Sequence, residues 1–130
     1  RCFKCSVILR SGSKSKHWNG IGLISGNYLY TLKANAKNRN LEFSISKEYI
    51  WNLFLKQYGK CALSGHYLDF NSCDNIDNKN TASLDRINNN IGYIEGNVQW
   101  VHKDINYMKQ EYDETYFIEM CKQIAIHKQL

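Results

Sequence analysis

The chain of 130 residues contains no proline and no run approaching the ~18 consecutive apolar residues of a membrane-spanning helix. No signal-peptide pattern opens it. Its five cysteines, Cys2, Cys5, Cys61, Cys73 and Cys121, form an odd and irregularly spaced set. That excludes a secreted disulfide framework and points to a reducing cytoplasm. The missing proline and abundant asparagine are what AT-rich coding gives, and they carry no functional signal. Disorder, collagen, coiled coil and membrane spanning are all excluded by composition. With 43% hydrophobic and 22% charged residues, the chain reads as one ordinary globular domain. Three Trp, nine Tyr and five Phe supply large side chains for its core.

Acidic residues are scarce in the first half. Residues 1–60 hold eleven Lys and Arg against Glu42 and Glu48, whereas residues 61–130 hold six basic and ten acidic residues. A basic half suits a polyanion, because Lys and Arg gain by releasing phosphate counterions. A solvated surface that only keeps the protein soluble has the same composition.

Cys2-Phe-Lys-Cys5 is half of a tetrahedral zinc site. The other two ligands would come from His17, Cys61 or Cys73, or from elsewhere. Cys61 and Cys121 otherwise read as small core side chains.

Ser11–Gly26 is polar and glycine-rich and reads as a loop anchored by Trp18. Asn27–Asn38 carries helical spacing, with Leu29, Leu32 and Ala36 on one stripe and Lys33 and Lys37 on another. Lys33, Lys37 and Arg39 form a basic face that fits a phosphate backbone or is merely solvated. Leu41, Phe43 and Ile45 alternate with polar residues, which predicts a short strand. Ser46 is placed to cap a helix over 47–58, and Gly59 to stop it.

The segment 83–110 predicts a compact unit: strand 83–87, polar loop 88–96, strand 97–101 and helix 102–110. Asp113 then caps a final helix, whose stripe of Phe117, Met120, Cys121, Ile124 and Ala125 is expected to pack as a brace. Asp85 and Asn106 would meet if the third element folds back across the hairpin. Both offer the hard oxygens that suit Mg²⁺.

The residues Asp85-Arg86-Ile87, Gly92-Tyr93, Gly96-Asn97-Val98-Gln99-Trp100-Val101 and Asn106-Tyr107-Met108-Lys109 resemble the signature of the HNH, or ββα-metal, endonucleases. Lys60-Cys61-Ala62-Leu63-Ser64-Gly65 resembles the segment that precedes it, and Trp18 through Gln123 is similar to small HNH proteins of phages. The resemblance implies an α+β fold: a basic helical N-terminal region (1–58), an HNH-like core (59–110) and a C-terminal packing helix (111–130). It implies a hydrolase that cuts double-stranded DNA with Mg²⁺ or Mn²⁺, in a bacterial or phage-infected cell, and a homodimer would suit symmetric cutting.

Residue by residue, the resemblance makes Asp85 and Asn106 metal ligands, Asn97 the asparagine that holds the hairpin loop and orients the catalytic base, and Lys109 a phosphate contact. Where relatives carry a general-base His, this chain has Arg86, which cannot accept a proton at neutral pH. Arg86 would instead hold the scissile phosphate. The base is then left among His66, Tyr67, Tyr93 and His102. Relatives also frame the unit with two Cys-x-x-Cys pairs, which here read Cys61…Ser64 and His102…Ile105, so no zinc is expected there. A DNA-binding module on a catalytically inactive scaffold is the alternative.

Overall fold

The computed structural model describes residues 19–70 and 80–129. Cys2, Cys5, His17, Trp18 and Cys73 lie outside the described residues, and with them the reading of a zinc site at Cys2 and Cys5. The fold is α+β. In chain order the elements are α1 (Gly26–Asn38), α2 (Lys47–Lys56), β1 (Ala82–Arg86), β2 (Val98–His102), α3 (Lys103–Lys109) and α4 (Glu114–His127).

Local chemistry sets the helix starts. Ser25 Oγ accepts the Tyr28 amide at 3.1 Å and Ser46 Oγ accepts the Tyr49 amide at 3.0 Å. Asp113 does the same for Tyr116 at 3.3 Å. Each satisfies an amide that has no partner within its own helix. Past α2 the chain turns through Tyr58 and Gly59, both at positive φ, and the Gly59 amide returns to the Phe54 carbonyl.

Leu41–Ile45 alternates in burial as expected but is not a strand. It makes one parallel bridge, Phe43 with Tyr93, through Ser44 N–Tyr93 O and Tyr93 N–Glu42 O bonds. That approach is what Gly92 is for: a Cβ there would come within 2.5 Å of the Glu42 carbonyl oxygen.

β1 and β2 pair antiparallel, with Leu84 opposite Trp100 and Asp85 opposite Gln99. Directly opposed residues share a face, so Leu84 and Trp100 face one way and Asp85 and Gln99 the other. Trp100 is fully buried. It packs on Tyr28, Phe54 and Phe70 with ring centroids 5.2–6.0 Å apart, and its Nε1 donates to the Ile50 carbonyl at 2.9 Å. Side chains from both halves of the sequence therefore share one core.

Both outer edges of the two-stranded sheet are closed by side chains. Gln57 Oε1 accepts the Trp100 amide and Gln57 Nε2 donates to the Trp100 carbonyl, at 2.9 and 3.0 Å. Tyr28 Oη accepts the Leu84 amide at 3.2 Å. Burial raises the Tyr28 pKa to about 12, so this phenol stays protonated.

The final helix departs from expectation. None of its residues is buried, and Cys121 is exposed rather than in the core. Its stripe has the right period, yet Phe117 and Ala125 are only half-buried and Met120, Cys121 and Ile124 are exposed. Among the described residues, no helix is long and apolar enough to cross a membrane.

Replacing Trp100 with Ala removes the centre of the aromatic cluster, and is expected to cost about 3–5 kcal/mol in urea unfolding followed by circular dichroism. Gln57→Ala leaves the Trp100 amide unpartnered, while its carbonyl keeps the Ala62 amide, and is expected to cost about 1–3 kcal/mol in the same assay.

Candidate functional site

On the sheet face away from Trp100, α3 lies across the hairpin. Asn106 Nδ2 donates to Ser83 Oγ at 2.8 Å, which fixes the helix over β1. One turn later Lys109 reaches inward. Its ammonium donates to Asp85 Oδ2 at 2.6 Å and to the Arg86 carbonyl at 2.9 Å. Gln99 Nε2 also donates to Asp85 Oδ2, at 3.0 Å, and bonds Glu114 Oε1 on α4. Glu114 Oε1 is 3.7 Å from the Lys109 ammonium.

Lys109 is fully buried and Asp85 nearly so, and each compensates a charge that would otherwise be stranded away from water. The expectation that Lys109 contacts phosphate is thereby corrected. Its position at the end of a short helix pressed on β1 leaves its four-carbon stem only one direction, toward the buried carboxylate.

A cleft of about 410 Å³ opens beside this network. Its walls include Asp85 and Arg86 from β1, Asn106 and Lys103 from α3, Tyr93 from the bridge segment and Arg39 from the end of α1. The structure thus brings Asp85 and Asn106 to one site, as the spacing suggested. With Oδ2 of Asp85 held by Lys109 and Gln99, and Nδ2 of Asn106 held by Ser83, Oδ1 of each is the atom left for a cation. One carboxylate and one amide oxygen beside solvent form the hard donor set that Mg²⁺ takes, with waters completing its shell. No group of three or more His, Cys, Asp or Glu that could hold a metal occurs among the described residues, and this two-oxygen arrangement does not depend on one.

Arg86 borders the cleft but is partly committed. Its Nη1 donates to the carbonyls of Asn89 and Ile91 at 2.8 and 3.0 Å, and its guanidinium lies over the Tyr93 ring at 5.8 Å. Asn97 is wholly occupied by the loop. Its Oδ1 accepts the Asn88 amide at 2.8 Å, and its Nδ2 donates to the carbonyls of Gly92 and Asn88 at 2.8 and 3.1 Å. It shapes the loop and does not border the cleft.

His102 does not reach the site. The strand register sets it on the Trp100 face, where its Nδ1 accepts the Asp104 amide at 3.1 Å as the cap of α3. That bond holds the ring at the helix start, and His102 does not border the cleft. His66 and Tyr67 are exposed on the turn before residue 68, and Tyr67 packs under Lys60. Of the four base candidates, Tyr93 is the one that borders the cleft.

Arg39 stands at the mouth, 3.4 Å from Glu111 in an exposed pair. Lys33 lies over Phe43 at 5.8 Å, in a separate groove that also contains Lys47. Lys37 is exposed on the same helix. Sequence reasoning missed Lys103, Gln99 and Glu114. A lysine that opens a helix directly after a strand is a readable signal for the first. The other two are visible only once α3 and α4 are placed.

Cys61 is buried, as expected. Burial alone would raise its pKa, but bonds from Ser64 and from the amides of Leu63 and His102 outweigh it and lower the thiol below its ordinary value. The His102 and Ser64 amides lie 3.3 and 3.4 Å from Sγ.

No family model matches the chain, and no solved structure does. It is similar to an uncharacterized 29.0 kDa protein of Enterobacteria phage T4, from the dda-modA intergenic region, at 36% identity over 87 residues. The match covers 67% of this chain and 32% of that protein, so the chain spans about a third of its relative's length.

Removing Lys109 as Lys109→Met strands the Asp85 carboxylate and is expected to cost about 3–5 kcal/mol by chemical denaturation. Adding Asp85→Asn in the same chain is expected to restore much of that loss. Strict additivity in the double-mutant cycle would show that the pair does not act as a unit.

Proposed function

We propose that the chain is a metal-dependent endonuclease of the HNH, or ββα-metal, type that hydrolyses DNA phosphodiester bonds. The observation that carries this reading is the convergence of Asp85 and Asn106 on one cleft that Arg39, Arg86 and Lys103 also line. Two further placements support it. Asn97 holds the hairpin loop in the way the resemblance implies, and Cys61, Ser64 and His102 meet where relatives frame the unit with zinc.

Asp85 and Asn106 would hold Mg²⁺ or Mn²⁺ through one oxygen each. When bound, that ion supplies Lewis-acid stabilisation of charge on the scissile phosphate and the leaving 3′ oxygen. Lys109 and Gln99 keep Asp85 from rotating by holding its second oxygen. Arg86, always protonated, presents positive charge to the phosphate as it gains charge in the transition state, while its Nη1 keeps the loop in place. Arg39 and Lys103 bind the flanking backbone at the cleft mouth. Tyr93 would take the proton from the attacking water as its phenolate, the water O–H breaking as the phenol O–H forms, in the role a histidine fills in relatives. The products carry a 5′ phosphate, the substrate is double-stranded DNA, and Lys33 and Lys37 extend the contact along α1.

One observation favours a second reading, a DNA-binding module without cleavage. The Asp85–Lys109 pair is complete as it stands, with the carboxylate already neutralised at 2.6 Å.

Supercoiled plasmid and genomic DNA separate the two. The nuclease reading expects nicking or linearisation in Mg²⁺ or Mn²⁺ and none in EDTA or with Asp85→Ala. Tyr93→Phe is expected to slow cleavage by about 10²–10⁴-fold with binding retained. Arg39→Ala is expected to weaken binding and lower the salt dependence by about one phosphate contact. Metal-independent gel shifts with intact DNA throughout would establish the binding module instead.

A further inference from the structure

α3 ends in a turn that residues with a Cβ avoid. The Tyr112 amide donates to the Lys109 carbonyl at 3.1 Å, which closes Lys109–Tyr112 into a four-residue turn. Its first central residue, Gln110, has φ 49° and ψ −129°. Those angles are near those of a type II′ turn, where glycine is usual because a side chain is strained at positive φ. Such strain persists only where the surroundings hold it.

Here they hold it from both sides. Lys109 is locked onto Asp85, and the Asn89 carboxamide donates to the Tyr112 carbonyl at 3.0 Å. The Gln110 amide returns to the Asn106 carbonyl at 3.1 Å. The site thus imposes the turn, and glycine would meet it without strain. The chain instead places a carboxamide there, exposed and on the wall of the cleft that Asp85 and Asn106 share.

Other residues of that wall already supply charge. Arg39, Arg86 and Lys103 are cationic, and Glu111 is taken up by Arg39 at 3.4 Å. A neutral carboxamide adds little to phosphate binding beside them. Its donor and acceptor, side by side, match the N6 and N7 edge of adenine. Gln110 follows Asn106 by about 6 Å of helix rise, roughly two steps along a DNA strand.

We propose that Gln110 gives the cleft sequence selectivity by reading an adenine within about two nucleotides of the bond held at Asp85 and Asn106. This rests on the reading of the cleft as a DNA site. The strained turn keeps the side chain on the cleft wall.

The full chain and a randomised duplex library test it in two arms. One sequences the ends cut in Mg²⁺ or Mn²⁺, and the other sequences the duplexes retained in EDTA. Wild type is expected to enrich adenine about tenfold at one position in both. Gln110→Ala and Gln110→Gly are expected to lose that enrichment, and Gln110→Gly to raise the urea midpoint by relieving φ. Gln110→Glu keeps an acceptor and loses the donor, so its preference is expected to move to cytosine. A purely structural Gln110 would shift the midpoint and leave the preferred base alone. A wild type that cuts without preference, or a preference that survives Gln110→Ala, would overturn the proposal and leave the nuclease reading standing. Adenine enrichment in the bound duplexes with no cutting in any metal would do the reverse. A wild type that neither cuts nor binds would overturn both.

Discussion

The contact between the Lys109 ammonium and the Asp85 carboxylate holds the site together. It is buried, so neither charge has water to fall back on, and each is tolerable only beside the other. The same ammonium bonds the Arg86 carbonyl, and the carboxylate is shared with Gln99, which reaches Glu114. One ion pair thus ties both strands, the helix that crosses them and the first turn of the last helix. It also leaves Asp85 Oδ1 as the oxygen outside the ion pair.

Most of the fold was legible because its signals are local. Ser46 and Asp113 announce helix starts by side-chain chemistry that needs nothing distant. The unit from 83 to 110 is readable from alternation, a glycine-containing loop and a helical period. The segment around Phe43 has a strand's alternation, yet sequence does not reveal that it finds one bridging residue, Tyr93, rather than a ladder. The stripe on α4 is the converse case. Periodicity reports that a face is apolar, and says nothing about whether the same chain covers it.

The site was legible in its residue types. Asp85, Asn106, Arg86 and Arg39 converge, because a carboxylate at a strand end and an amide one turn into the next helix are brought together by the hairpin itself. Lys109 was misjudged for a reason of length. On an exposed helix a lysine extends to solvent, but at the end of a seven-residue helix pressed on a strand it is nearer the buried Asp85. His102 was misjudged because it is the residue where strand turns into helix. The strand ends at His102, whose ring turns back to cap α3 and so never reaches the cleft.

The side chains of Gln57 and Tyr28 carry a consequence for how this protein meets others. A two-stranded sheet ordinarily offers a row of backbone donors and acceptors to any extended peptide that comes past. Here the middle of each margin is already bonded, by a carboxamide on one side and a phenol that burial keeps protonated on the other. Recognition by strand addition is closed at those positions, and so is the commonest route from a small sheet to an amyloid-like stack.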